Sequence, residues 1–245
     1  NGNTDTGLVH VLSPPGGGGG APFTNPLFFS DDPAGTTTIT PAQITAITNT
    51  GTAVVLQANN DITLAAASPI TTSAGGAGGA ITLQAGRSIL LNSNIATDNG
   101  ALTLVANETL ANGVETANRD PGAAVITQAP GTTLNAGSGG ISITLADGAG
   151  RTGAQAQSGA INLGAMSTSG SLSVQNNGLI ASAGILLSGN VDAGSMSLAA
   201  GTLAFNAGTF NIGALTAAPG STVAFSGGTA NFSGAYTGAT TNVSG

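Results

Sequence analysis

The chain contains no cysteine, no tryptophan and no lysine, and only 5% of its 245 residues are charged. Without cysteine there is no disulfide stapling and no thiolate metal centre, and the compartment carries no redox marker. Arg87, Arg119 and Arg151 are the only cations in a chain of net charge −7. Nucleic acid is therefore excluded as a partner, because neutralising phosphates takes clustered basic side chains. A soluble domain averages about 25% charged residues, so the helical surfaces of an ordinary domain have too few charges here. Solubility must rest on Thr, Ser, Asn, Gln and exposed turns. No apolar run approaches the ~20 residues that cross a bilayer, so no transmembrane segment is expected. His10 is the only histidine and cannot build a familiar zinc site. No paired carboxylates with a basic partner announce a hydrolase. The expectation is a non-enzyme with no catalytic, cofactor-binding or metal residues and no cofactor.

What is present is repetition. ITLQAGRSIL at residue 81 is echoed by LTLVANETL at residue 102, with Asp-Asn-Gly between the copies. Apolar-x-apolar-x-small units recur from Val54 to Ala207, among them VVLQA, ITLAA, ISITLA, INLGA, MSLAA and LAFNA. Each has the period-2 alternation of a strand buried on one face, and no 3.6-residue period competes. TLAFNAGTFNIGA at residue 202 aligns with TVAFSGGTANFSG 20 positions on, and Ile62, Leu64 and Ile70 align with Ile81, Leu83 and Ile89 at 19. A near-constant offset is the mark of a solenoid, each coil burying its inward side chains against the next. The predicted fold is all-β: a right-handed parallel β-helix of about 19–21 residues per coil, filling residues 52–245. Around ten coils at ~4.8 Å each give a rod of about 50 Å.

Residues 1–51 read as an irregular Pro/Gly-rich N-terminal segment, a linker, a cap or a contact surface, with Phe23, Phe28 and Phe29 as candidate cap or assembly contacts. Thr40, Pro41 and Gln43 spell a capping box for a short helix. Glu108, Glu115, Arg119 and Asp120 form the densest charged cluster, in a stretch (NETLANGVETANRDPGAA) that departs from the repeat. That stretch is expected to bulge out as a loop, either simply solvated or making ligand contacts. The arginines stand 32 positions apart each time; because 32 is not a multiple of the coil, no arginine ladder is expected. Thr63, Thr82 and Thr103 line up at coil spacing, but the same spacing does not continue the column into later coils. The start at Asn1 without methionine suggests an internal or processed piece of a longer chain.

The motifs VVLQANNDITLAA, ITLQAGRSILLNSNI and GALTLVAN resemble the repeat region of filamentous-haemagglutinin-type exoproteins, secreted by the two-partner route across the outer membrane of Gram-negative bacteria. The resemblance covers about residues 40–200. It implies a right-handed β-helix at an extracellular or outer-surface location, as the shaft of an adhesin or matrix protein. That family's Asn-Pro-Asn secretion motif is not matched, since Thr24-Asn25-Pro26-Leu27 lacks the second Asn. The leading expectation is a structural or adhesive module, the rod of a cell-surface adhesin or biofilm fibre. Its partners would be copies of itself, stacked end to end or laterally, or cell-surface and matrix glycans and proteins. Alternatives are a self-assembling filament subunit, an ice- or surface-binding solenoid and, last, a polysaccharide-acting β-helix enzyme.

Overall fold

The computed structural model describes residues 7–11, 23–178, 184–238 and 240–243. The five-glycine run at 16–20 and Pro14, Pro15 and Pro22 lie outside the described residues. An N-terminal unit comprises β1 (Leu8–Val11), β2 (Thr36–Ile39) and α1 (Pro41–Thr48). The first two coils follow as β3 (Val54–Ala58), β4 (Ile62–Leu64) and β5 (Ile70–Thr71), then β6 (Ile81–Ala85), β7 (Ile89–Leu91) and β8 (Ile95–Ala96). The next comprise β9 (Leu102–Ala106), β10 (Ala124–Gln128), β11 (Thr133–Gly137), β12 (Ile141–Leu145) and β13 (Ser158–Leu163). From there the second face is built from long strands: β14 (Ala165–Asn176), β16 (Val191–Ala200) and β18 (Thr209–Ala217). These alternate with β15 (Ile185–Leu187), β17 (Thr202–Phe205) and β19 (Thr222–Phe225), and the chain continues through β20 (Thr229–Phe232), β21 (Tyr236–Thr237) and β22 (Thr240–Val243).

Every pairing among these strands is parallel, which makes the fold a parallel β-helix. The first sheet runs β2-β1-β4-β7-β10-β13-β15-β17-β19-β22 and the second β20-β18-β16-β14-β12-β9-β6-β3, with β5, β8, β11 and β21 joined at its side. Ten strands at ~4.8 Å make the first sheet about 43 Å long. The alternation that predicted strands is also what fills the core. Ile81, Leu83 and Ala85 point in with Leu102, Leu104 and Ala106, all at most 1% exposed, while Thr82, Gln84, Thr103 and Val105 face out. A tube this narrow admits aliphatics until its C-terminal coils. There Phe205 stacks on Phe225 at 5.0 Å and meets Phe210 edge-on at 4.7 Å.

The coil, however, is not of constant length. From β3 onward, successive registers in the two sheets step by as little as 18 residues (Ile185 to Leu203) and as many as 39 (Leu102 to Ile141). Ile81–Leu102 and Leu203–Val223 pair as expected. Ile62 does not pair with Ile81; it lies in the first sheet against Ile89, and Ile70 pairs with Ile95 in the second. A coil in the first half visits three short strands, so a look-alike strand one corner further on mimics a repeat. Among the described residues eight coils, rather than ten, follow residue 52, because two of them carry long insertions at 107–123 and 146–157.

The N-terminal segment is built more regularly than its composition suggests. β1 lies between β2 and β4 and extends the first sheet, with Val9 opposite Ile62 and Val11 opposite Leu64. Leu27 adds to the second sheet beside Leu56. The amide N–H of Leu27 donates to the Val55 carbonyl, and that of Gln57 to the Leu27 carbonyl, both at 3.0 Å. The capping box forms as read: the Gln43 N–H donates to Thr40 Oγ1 and the Thr40 N–H to Gln43 Oε1. The helix buries Ile44 over the first coil.

Asp98 clamps the turn that follows β5. Its Oδ2 accepts from the N–H groups of Ala74 at 2.5 Å and Gly76 at 2.9 Å. These two bonds, Gly76 first, hold its carboxyl below the ordinary 3.8. A carboxyl depressed by folding contributes stability above its unfolded pKa and loses it as pH falls through the folded value. Asp98→Asn is therefore expected to speed amide exchange at Ala74 and Gly76 and to remove the extra speeding that the wild type shows below about pH 4.

Candidate binding face and buried arginine centre

The outward side of the second sheet carries a column that constant-spacing logic could not find. Register places Thr82 beside Thr103, Thr103 beside Ser142, Ser142 beside Ser173, Ser173 beside Ser197, Ser197 beside Thr216 and Thr216 beside Thr237. Seven hydroxyls thus stand on seven consecutive coils, about 29 Å end to end at ~4.8 Å per step. All seven side chains are solvent-accessible. None donates to or accepts from another protein group among the described residues, so each hydroxyl keeps its hydrogen-bonding capacity for something outside. Thr63 does not belong to this column, because it lies in the first sheet between His10 and Leu90.

The neighbouring column keeps the surface low. Ile81, Leu102 and Leu215 draw their backbone bonds from Ala101, Gly140 and Ala235, and Ser171, Ser195 and Ala214 sit side by side. With Ala, Gly and Ser on one side and Gln84, Val105, Thr144 and Gln175 on the other, the face is uncharged along its length. Backbone geometry sets the hydroxyl spacing, so the array is preorganised and pays little ordering entropy on contact.

The charged cluster is an interior rather than a surface. Glu108, Arg119 and Asp120 are buried, at 3%, 2% and 9% exposure; only Glu115 stands in solvent. The expected exposed contact loop is thus corrected for three of its four residues. The insertions 107–123 and 146–157 leave the helix at one corner on successive coils, between the second and first sheets, and close over each other. All three arginines meet there despite their off-register spacing, because the insertions change coil length between them. Arg119 donates through Nε to the Gly86 carbonyl at 2.8 Å, through Nη1 to the Asp120 carbonyl at 2.6 Å, and through Nη2 to Asn107 Oδ1 and the Gly122 and Gln157 carbonyls. Arg151 reaches the same Asn107 Oδ1 at 2.9 Å and Gly86 at 3.3 Å, and also bonds the Glu108 and Gln155 carbonyls.

Arg87 takes the carboxylates. It grips Asp61 with Nε at 2.8 Å and Nη2 at 2.5 Å and lies 3.5 Å from Asp120. Arg119 is left among neutral acceptors and two other cations. Burial first, then Arg151 and Arg87, push its guanidinium down to about 10, against the opposing pull of Asp61 and Asp120. Burial also lowers Arg151, opposed by Glu108 and Asp147. A titratable group that stays fully charged at neutral pH and spends its donors on backbone carbonyls is a brace. It leaves no donor arrangement typical of acid-base work.

An amide ladder ties this brace to the N-terminal unit. The Phe29 N–H donates to Gln57 Oε1, Gln57 Nε2 to Gln84 Oε1 at 2.8 Å, and Gln84 Nε2 to Glu108 Oε2 at 3.3 Å. Phe29 is buried at 3% and Phe23 packs on the core, whereas Phe28 is 49% exposed. Of the three phenylalanines, Phe28 alone presents its ring to solvent. Among the described residues no group of three or more His, Asp or Glu side chains could hold a metal ion, and no helix is long and apolar enough to cross a membrane. No protein-family model, curated protein or solved structure matches the chain. The likeness to filamentous-haemagglutinin repeats therefore rests on the quoted motifs alone.

Proposed function

We propose that the chain is a non-enzymatic adhesive rod, part of a secreted cell-surface adhesin or extracellular fibre, whose lateral contacts are made by the hydroxyl face of the second sheet. The observation that carries this reading is the seven-coil column from Thr82 to Thr237. Its hydroxyls are unspent and evenly spaced, and their setting is flat and uncharged. Such a face suits a repetitive, hydroxyl-bearing solid, because one coil step brings the next contact into the same environment. The triple variant Ser142→Lys, Ser173→Lys, Ser197→Lys leaves the inward residues untouched and puts three ammonium groups across the face. Wild-type protein is expected to be depleted from solution by particles of crystalline cellulose, an uncharged hydroxyl-bearing solid. The triple variant is expected to bind at least tenfold more weakly, a loss of about 1.4 kcal/mol or more. Equal depletion of both proteins overturns the assignment of the face.

The same column favours a second reading, contact with the ordered hydroxyl lattice of ice. Thermal hysteresis separates the two. An adhesive rod gives none, and hysteresis in the wild type that the triple variant lacks puts the ice reading first.

A further inference from the structure

One inward column of the first sheet, running from Val11 to Phe205, is apolar except at one position. Leu64 pairs with Leu91 and Leu91 with Gln128, and the column resumes with Leu163 and Leu187. Gln128 is only 7% exposed, and it spends its amide on the corner of the helix. Its Oε1 accepts from the Gly164 N–H at 3.0 Å, and its Nε2 donates to the carbonyls of Thr132 at 2.9 Å and Ala165 at 3.0 Å. It thereby fixes the turn Ala129-Pro130-Gly131-Thr132, which closes with the Thr132 N–H on the Ala129 carbonyl at 3.2 Å and has Gly131 at φ +79. Proline at the second position and a glycine of positive φ at the third are what a type II turn requires. The next coil takes the same corner with Gly164 alone. The braced turn therefore stands as a wall beside a step in the surface.

The step is a groove of about 780 Å³ that runs across five coils from Asn92 to Gly208, within the range of small-molecule sites. Its floor is held close by Gly189, where an added Cβ would lie 2.5 Å from the Ala165 nitrogen. Asn92, Asn162, Ser188 and Asn190 line it, and all four are exposed. Asn190 spends its Oδ1 on the Thr209 N–H at 2.9 Å and keeps its NH₂. The side chains of Asn92, Asn162 and Ser188 bond no protein group among the described residues. No charged residue lines the groove.

We propose that this groove binds a neutral linear glycan laid along the helix axis. Free amides and a hydroxyl match sugar hydroxyls as both donors and acceptors, and an uncharged lining offers no compensation to a desolvated anion or cation. Five coils at ~4.8 Å span about 19 Å, a length that takes a short extended oligosaccharide. The site is separate from the hydroxyl face, so the two assignments can fail independently.

Isothermal titration of the full chain with cellotetraose, chitotetraose and maltotetraose tests the proposal, with tetragalacturonate as the anionic control. At least one neutral tetrasaccharide is expected to bind, and more tightly than its own disaccharide. Asn162→Ala and Ser188→Trp, both at exposed positions, are each expected to weaken that binding at least tenfold with an unchanged far-UV spectrum. The triple lysine variant of the hydroxyl face should bind it as the wild type does. Absence of binding by all three neutral sugars overturns the proposal. So does equal or tighter binding of tetragalacturonate, indifference of the bound sugar to both groove variants, or its loss in the face variant.

Discussion

Arg119→Ala is expected to destabilise the insertions 107–123 and 146–157 by about 3–5 kcal/mol, because several buried acceptors lose their donor together. The side chain holds five acceptors at once, on Gly86, Asn107, Asp120, Gly122 and Gln157. A buried acceptor left without a partner costs about 1–3 kcal/mol, and water entering the vacated site recovers part of the sum. Arg151 reaches only two of those acceptors, Asn107 and Gly86, so it cannot substitute. Limited proteolysis should cut the variant within 107–123 and 146–157 under conditions where the wild type resists. Hydrogen exchange should show the same two segments opening together, while the strands from β14 to β19 keep their protection. A repeat structure loses local elements before it loses distant coils. Arg119→Lys, with one point of charge in place of a planar fork, should recover only part of the loss.

The second large effect is expected at the other end of the core. Phe205 is fully buried between Phe225, stacked at 5.0 Å, and Phe210, edge-on at 4.7 Å. Phe205→Ala removes the ring that both others rest on, and the expected cost is about 3–5 kcal/mol. Phe225 in turn meets Phe232 and Tyr236 at 6.0 and 6.3 Å, so the loss should spread to β19–β22. Equilibrium urea unfolding is expected to show an early transition in the variant that the wild type lacks, with exchange protection lost first from β19 to β22. Phe205→Leu restores the residue type of its stacking neighbour Leu187 and should cost less.

These two sites also mark what could and could not be read from the amino-acid order. Period-2 alternation located the strands, since the inward positions of a narrow tube are filled by apolar side chains, aliphatic through most coils and aromatic at Phe205 and Phe210. The match of Leu203, Phe205 and Ile212 with Val223, Phe225 and Phe232 was legible because the C-terminal coils carry no insertions. The hydroxyl column was not. Its members step by 21, 39, 31, 24, 19 and 21 residues, and three of the six steps fall outside the expected coil. Serine also replaces threonine at Ser142, Ser173 and Ser197, which a search for threonine alone passes over. The arginine centre was hidden by the same cause. Coil length absorbs the insertions, and only the folded register reveals that residues 87, 119 and 151 come to one corner. Gln128 becomes readable as a polar side chain in an inward position once the register of β10 on β7 is known, as does Asn176 opposite Leu145.

The face depends on one claim, that β12 pairs with β14 at a step of 31 residues and not at a uniform step near 20. The chain has no native cysteine, so disulfide trapping tests this without background. Partners across a parallel pair lie within the Cα separation that a disulfide spans, about 4.4–6.8 Å. Under mild oxidation the double variant Ser142→Cys, Ser173→Cys is expected to cross-link within the monomer nearly completely. The double variant Ser142→Cys, Asn162→Cys, which a 20-residue coil would bring together, is expected to remain reduced. A cross-link in the second variant and none in the first would contradict the register and the hydroxyl face with it.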